Sequence, residues 1–524
     1  MKMKAALYIR YGIVLLLHAP FIVSGQSHGS FPHNKSEDRN HIMSDAYWAR
    51  WNDSLQQKID KDIDRNRKSD AEITLTDAAP GSVIQVKQTS HSFVFGANIF
   101  NFNQLGKKEY NDKYKVLFGS LFNRATIPFY WKAFEPEPDK PRFKGAPQDS
   151  EVYWDTVSDP KLKPNWRRPA TDPVVAFCES KHIMMHGHTL VWPNKRWQEP
   201  SWIIQQKMSP SERKELDYLV TTYSNDDNKL NNDIYTDEYK KMSVDELIAK
   251  FPEYAETLQK LSTKRIKEIA NHYGDRIPSW DVVNESADDY EQGRMLPGKL
   301  LCKSRIGIMQ GDYAYNGFLD ARKYFPHNVK LNINDYNRND AYPKEIKNLL
   351  SRGAEIDIAG VQLHIFNPHD ILDIADGADL RTPQQMYEIF NRDAKAGLPI
   401  HLSEVTIPAP GADLKSEKMQ AIVTRNLYRL WFSLQPLIGI TWWNIVDNCG
   451  APGEPATSGL FTREMKPKQA FYALNQLINR EWTTNLTTTT DSRGKIKFRG
   501  FKGDYLITWK DSKGHTQSMH YTLK

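Results

Sequence analysis

Six short apolar runs, "IMMHGHTLVW", "IPSWDVVNE", "VKLNINDYN", "IDIAGVQLHIF", "LPIHLSEVT" and "LIGITWWNIVD", recur between about residues 95 and 480. Longer stretches with helical spacing separate many of them, such as 254 to 272, 306 to 324 and 414 to 433. Repeated β-then-α units of this size predict parallel strands with helices packed outside. No glycine-rich phosphate loop follows the first strand, which disfavours a doubly wound sheet. The pattern fits an α/β fold of the (β/α)8 TIM barrel kind, in which the C-terminal ends of the strands open on one mouth. Several runs end in polar or ionisable residues, so chemistry is expected at that mouth.

The remaining sequence suggests additions to this core. Lys2 and Lys4 precede an apolar stretch, roughly Tyr11 to Val23, broken by His18 and Pro20. Val23-Ser24-Gly25 then offers a cleavage point before Gln26, so 1–25 reads as a signal peptide and the mature chain as exported, periplasmic or extracellular. The stretch is too short and interrupted to span a membrane stably. Residues 26–40 are polar and expected to be disordered. Ser44 to Asn66 is helical in pattern, and 71–100 alternates as strands around a Pro-Gly turn at 80–81. Together, 26–92 is expected to form an N-terminal helix and strand segment and 93–480 the barrel. A polar insertion near 205–262 should add a loop and helices over the mouth. Residues 481–524 alternate again, with Gly494, Gly503 and Gly514 in the turns, as a small β-module that supports the N-terminal strands structurally.

Composition excludes several classes. A net charge of +6 over 524 residues, without basic clusters, gives no nucleic-acid footprint. Cys178, Cys302 and Cys449 are too few for a disulfide framework, though one bridge is open, and no Cys/His spacing resembles a zinc site. No metal and no cofactor are called for, and the chain is expected to be a monomer. The 14 tryptophans and 24 tyrosines hint at sugar stacking, although each ring alone is as well explained by packing.

Glu285 closes "WDVVNE" directly after Asn284, and Glu404 closes the run beginning at Leu398. A lone strand-end Glu is usually solvated, but two on different strands of one barrel would reach the same mouth. Paired carboxyl groups can cleave a glycosidic bond, with pKa values that their environments must push apart. Other strand ends offer compatible groups: His186, His188 and Trp192; Asn334, Asp335, Tyr336 and Asn337; Gln362 and His364; Trp442, Trp443 and Asp447. Metal ligation by the histidines would leave the amides, carboxylates and indoles unexplained.

Six ordered motifs make the chain resemble glycoside hydrolase family 10, best known for endo-β-1,4-xylanases. They are "HGHTLVW" (186–192), "WDVVNE" (280–285), "NDYN" (334–337), "GVQLH" (360–364), "HLSEV" (401–405) and "WWNIVD" (442–447). The resemblance implies a retaining hydrolase acting on xylan, with Glu285 as acid/base and Glu404 as nucleophile. It implies that Asn284 hydrogen-bonds the sugar 2-hydroxyl and that Gln362 and His364 orient Glu404 or the sugar. It also implies that His188, Trp192 and Trp443 line the same subsite, with Tyr336 in the shared "NDYN" motif. A retaining pair stands about 5 to 5.5 Å apart.

Three departures bear on substrate. Thr126 and Ile127 stand where many relatives carry a Glu-Asn pair, with Lys132 a shifted substitute for the family lysine. Thr406 replaces an acidic residue, and the 448–461 loop has no aromatic before Phe461. Three other readings stay open: the same chemistry on another or heavily decorated β-linked glycan, a non-catalytic glycan-binding barrel, and a metal-dependent hydrolase.

Overall fold

The computed structural model describes residues 31–194, 197–200, 202–205, 209–219, 236–305, 307–336 and 339–524. Eight parallel strands close into a barrel in chain order: β1 Val94–Asn98, β2 Arg124–Pro128, β3 Met184–Val191, β4 Ser279–Asn284, β5 Lys330–Asp335, β6 Ile358–His364, β7 Ile400–Thr406 and β8 Leu437–Trp442. β1, β2, β4 and β7 are buried at every position, because helices cover the sheet outside and side chains fill it inside. That double burial is why these strands read as apolar runs rather than as alternation.

The helix Leu414–Ser433 is buried nearly all round. It lies against the N-terminal helix Asp53–Arg67 on one side and against Gln469–Gln476 on another. Asp53–Arg67 starts where Asn52 accepts from the Leu55 amide, a side-chain cap that satisfies one of the free donors of the first turn. A shorter helix, Asp45–Arg50, precedes it and is capped by Ser44.

Strands from the two termini pair with each other. Lys68–Thr74 runs antiparallel to Lys495–Phe501, and Val83–Gln88 lies between Asn485–Thr489 and Gly503–Lys510, with Thr516–Leu523 outermost. Their inward positions form a separate small core around Ile84, Val86, Ile496, Tyr505 and Ile507. Gly494, in the turn leading into Lys495–Phe501, and Gly514, at the tip of the last hairpin, take φ +71° and +82°, a backbone region where a side chain is strained.

Three expectations change, and one open alternative closes. Residues 31–40 are ordered rather than disordered: Asp38 accepts from the Ile42 and Met43 amides and from Trp48 Nε1, and Phe31 is buried against Ala421 and Ala473. Polar composition hid this because one buried carboxylate satisfies three donors. The 306–324 stretch is split: Leu301–Ser304 and Gly307–Gln310 form an antiparallel hairpin, and the helix begins at Tyr313. The insertion ends earlier, since Pro252–Tyr273 is one 22-residue helix of the barrel's outer ring. Within the insertion, the helices Asp237–Lys241 and Val244–Lys250 bury Tyr239 and Leu247 against Phe251, Trp131 and the hairpin's Leu301 and Ile308. Finally, no disulfide forms, as all three cysteines are free and buried.

The leader at 1–25 and residues 26–30 lie outside the described residues. Among the described residues, no helix is long and apolar enough to cross a membrane.

Phe432 joins the terminal additions to the barrel. Its ring stacks on Trp482 at 4.1 Å, meets Phe93 edge-on at 4.9 Å, and receives the Arg67 guanidinium at 5.3 Å. Phe432→Ala should cost about 3–5 kcal/mol in chemical denaturation, as a large cavity at a buried junction does. A loss below about 1 kcal/mol would show that the junction is not a shared core.

Candidate active site

β4 ends at Asn284, and Glu285 follows with φ +58°, a left-handed conformation unusual for a residue with a Cβ. Its amide is held by the Asn334 carbonyl at 2.8 Å. The turned backbone carries a half-buried carboxyl that two donors fix. Trp192 Nε1 donates to Oε2 at 2.8 Å, and Gln362 Nε2 donates to Oε1 at 3.2 Å.

Glu404 lies deeper, at 5% exposure on β7. Asn334 Nδ2 donates to its Oε1 at 2.8 Å, and His364 Nε2 stands 3.3 Å from Oε2. His364 Nδ1 is in turn 2.8 Å from Thr406 Oγ1. The hydroxyl that replaces the family's acidic residue therefore orients the histidine.

Asn284 connects the two carboxyls. Its Oδ1 accepts from Asn334 Nδ2 at 2.8 Å and from Gln362 Nε2 at 3.3 Å. Each of those amides also donates to one glutamate. Strand register produces this: Asn284 lies opposite Asn334 across β4 and β5, and Gln362 lies opposite Glu404 across β6 and β7. Ser403 Oγ donates to Asn334 Oδ1 and so fixes which way the Asn334 amide faces.

Below lies a buried charge cluster. His188 Nδ1 is 2.8 Å from Asp281 Oδ2, and the two residues are strand neighbours. Burial opposes ionisation of Asp281, yet His186 and His188 hold its carboxyl well below the usual range. Burial likewise works against a charged His188, but Asp281 and the nearby Glu404 and Glu285 raise its pKa on balance. Burial lifts Glu404 up to about 8; His188 opposes that lift and the charge of Glu285 adds to it. The lifted carboxyl is thus the one that the resemblance gives as nucleophile, because it sits on the inner side of the mouth where water is excluded.

An aromatic wall flanks the carboxyls. Trp443 meets His188 edge-on at 5.4 Å and Phe100 at 5.2 Å, and Tyr130 lies 5.5 Å from Trp192 and 5.4 Å from His188. Of the candidates read from the sequence, Asn284, Glu285, Glu404, His188, Trp192, Gln362, His364 and Trp443 converge here. The Gln362 side chain goes to Glu285 and Asn284 rather than to Glu404. Tyr336 stands at the rim, its hydroxyl donating to Asp288 Oδ2 at 2.8 Å. Lys132 is exposed on the short helix Trp131–Phe134.

Trp442 and Asp447 serve structure: the indole donates to the Asn444 and Ser458 carbonyls, and the carboxylate pairs with Lys468 at 3.0 Å. His186 points into the barrel, to Ser279 Oγ at 2.8 Å. Asn337 lies outside the described residues. Among those residues no group of three or more His, Cys, Asp or Glu side chains could hold a metal ion. Asp281, Ser403 and Tyr130 were not singled out from sequence. Register shows what Asp281 faces, and Tyr130 stands two residues before Lys132.

The profile described as Glycosyl hydrolase family 10 matches residues 132–236 and 239–477. The chain is 23% identical over 465 residues to the anti-sigma-I factor RsgI6 of Acetivibrio thermocellus, covering 87% of this chain and 46% of that protein. It is 24% identical to endo-1,4-beta-xylanase C of Paenibacillus barcinonensis, over 64% of this chain and 28% of that one. It is 28% identical to endo-1,4-beta-xylanase A of Halalkalibacterium halodurans, over 56% and 68% respectively. The chain thus spans less than half the length of the first two relatives.

A carboxyl lifted from 4.5 to about 8 links stability to pH. The folded state binds this proton more tightly than the unfolded state does. Its contribution is therefore full below about pH 4.5 and is lost as pH rises through about 8. Glu404→Gln removes the linkage, so its melting temperature relative to wild type should rise by several degrees between pH 5 and pH 9. A difference constant across that range would refute the buried-carboxyl assignment.

Proposed function

The chain belongs to glycosyl hydrolase family 10, and from that premise we propose that it is a retaining endo-1,4-β-xylanase that cleaves xylan by double displacement. The observation that carries this reading is the pair of carboxyls at one mouth, each held by an amide that also holds Asn284. The xylanases named among its relatives support the substrate.

In this reading Glu404 attacks the anomeric carbon while Glu285 protonates the leaving oxygen; Glu285 then deprotonates the water that releases the glycosyl-enzyme. The carboxyl pair needs one proton, and it must sit on Glu285. Burial favours a proton on Glu404. Substrate reverses that preference, because the anomeric carbon gains positive charge beside Glu404 as the oxocarbenium-like transition state forms. His188 adds positive charge on the same side. Trp192 Nε1 keeps Glu285 aimed in both protonation states, since the indole donates only and either form retains an accepting oxygen.

Asn284 Oδ1 is taken by two donors, which leaves Nδ2 to donate to the sugar 2-hydroxyl. Gln362 positions Glu285, and His364, held by Thr406, positions Glu404. His188, Trp192 and Trp443 line the subsite against the sugar's faces, Tyr336 forms the rim, and Lys132 is a contact outside it. The terminal strands act as structural support. The mature chain is exported, on the strength of the leader-like residues 1–25, and works as a monomer.

Glu404→Gln and Glu285→Gln should each lower kcat on xylan by about a thousandfold or more, with the β-anomer as first product by NMR in wild type. Wild-type activity in either variant, or an α-anomer first, would end the assignment. Wild-type kcat/KM should fall on the alkaline side near pH 8, as the last proton leaves the carboxyl pair. A profile flat to pH 10 would contradict a shared proton.

A further inference from the structure

Two consecutive arginines are buried behind the aromatic wall that flanks the carboxyl pair, and neither has a role in the reaction above. Arg167 is 3% exposed and Arg168 is 7% exposed. The turn carrying them is built rather than incidental. Arg167 takes φ +60°, its amide donates to Gln104 Oε1, and Gln104 Nε2 donates to the Asn165 carbonyl at 2.9 Å. Arg142, paired with Asp149, donates to the Arg168 carbonyl at 3.1 Å. Pro169 follows and restricts the backbone of Arg168 further.

The Arg168 guanidinium lies over the Tyr130 ring at 4.0 Å and near Trp197 and Phe100 at 5.2 and 5.5 Å. Tyr130 is the ring that packs on His188 and Trp192, and the charge of Glu404 reaches its hydroxyl. Arg168 therefore stands one aromatic ring from the reacting carboxyls.

Its hydrogen bonding is incomplete. Nη1 donates to the Arg167 carbonyl at 2.8 Å, but the buried Nε has no partner among the described residues. Arg167 Nε is orphaned as well, while its Nη2 donates to Asn444 Oδ1 at 2.9 Å and Nη1 stands 3.8 Å from Glu454 Oε2. Glu454 is itself bound to the Asn444 amide and the Ala451 N–H. The only carboxylate that pairs with Arg167 among the described residues thus already has other partners, and it reaches Arg168 only through its field. The adjacent Nε and Nη2 edge of a planar guanidinium is the fork that a carboxylate meets with two parallel hydrogen bonds.

We propose that Arg168, supported by Arg167, forms a subsite for the carboxylate of a uronic-acid unit, so that the enzyme acts preferentially on acid-branched xylan. This rests on the xylanase reading and names the decoration that the same cleft accepts. The surroundings fit the ligand: Trp197 is only partly buried and offers a ring face for a pyranose, and the low polarity of the buried Tyr130 and Phe100 strengthens a charge-assisted pair. A neutral branch would leave the guanidinium edge unmatched.

The test compares glucuronoxylan with the same polymer after its carboxylates have been reduced to alcohols. Wild type should show kcat/KM at least about tenfold higher on the acidic polymer, as expected for a charge-assisted pair in a water-poor site. Arg168→Gln should bring that ratio close to one, and Arg168→Lys, which keeps charge but loses the fork, should fall between. Equal wild-type rates on the two polymers would overturn the subsite while leaving the xylanase reading intact, and this comparison requires no variant to fold. A ratio unchanged in a folded Arg168→Gln would also overturn it. Hydrolysis of neither polymer would instead fail the xylanase reading. A stronger preference for a sulfated xylan than for glucuronoxylan would replace the carboxylate by a sulfate ester and refute the uronic-acid assignment.

Discussion

The Nδ2 group of Asn334 donates to Asn284 and to Glu404, and this shared amide makes one site out of residues on separate strands. Ser403 fixes its orientation, and its backbone carbonyl holds the Glu285 amide in the turned conformation that ends β4. Gln362 repeats the arrangement from the other side, joining Asn284 to Glu285. Neither carboxyl can shift without disturbing an amide that the other depends on through Asn284. Such coupling suits a reaction that needs two groups at a fixed separation on opposite sides of one carbon.

The strand architecture makes this arrangement possible. Parallel strands in register place Asn284 opposite Asn334 and Gln362 opposite Glu404, so neighbouring strands supply neighbouring side chains. Interruptions in the ladders, between Val361 and Gln362 and between Asp281 and Val283, occur where strands reach the mouth. A bulge re-aims the following side chains at little cost when the strand is ending. The helices and terminal strands keep this geometry rigid from outside, through contacts such as Arg67 on Phe93 and Phe432.

Much of this was legible in the sequence, for reasons that also mark its limits. Double burial makes barrel strands apolar along their length, so Trp280 to Val283 and Ile400 to Leu402 announced themselves, and the polar residues closing them marked the mouth. Register is not encoded in any one segment, so the reach of Gln362 to Glu285 and the pairing of His188 with Asp281 could only be seen in three dimensions. Short helices and hairpins with mixed composition were misread. The hairpin at Leu301–Ser304 and Gly307–Gln310 looked like the start of a helix because its buried hydrophobic residues, Leu301, Cys302 and Ile308, set no clear period. Arg167 and Arg168 gave no signal, since a charged pair in a polar loop reads as solvated surface until its burial is known.

Sign alternates from the barrel interior to its mouth, and this sets the chemistry. Arg124 is buried near Asp281, whose charge helps it stay protonated against burial; Asp281 holds His188; His188 faces the two glutamates. Each member is costly to bury alone, and orphaned atoms such as Arg124 Nη1 and Asp281 Oδ1 show that hydrogen bonding does not fully offset the cost. The balance comes from neighbours of opposite sign. Replacing any one by a neutral residue would shift its neighbours, and at the end of the series the shift falls on Glu404, whose protonation would decide whether the proposed nucleophile exists. Polar residues so deep in a barrel weaken the core, but they give the carboxyl at the end of the series a charged support that an apolar interior could not supply.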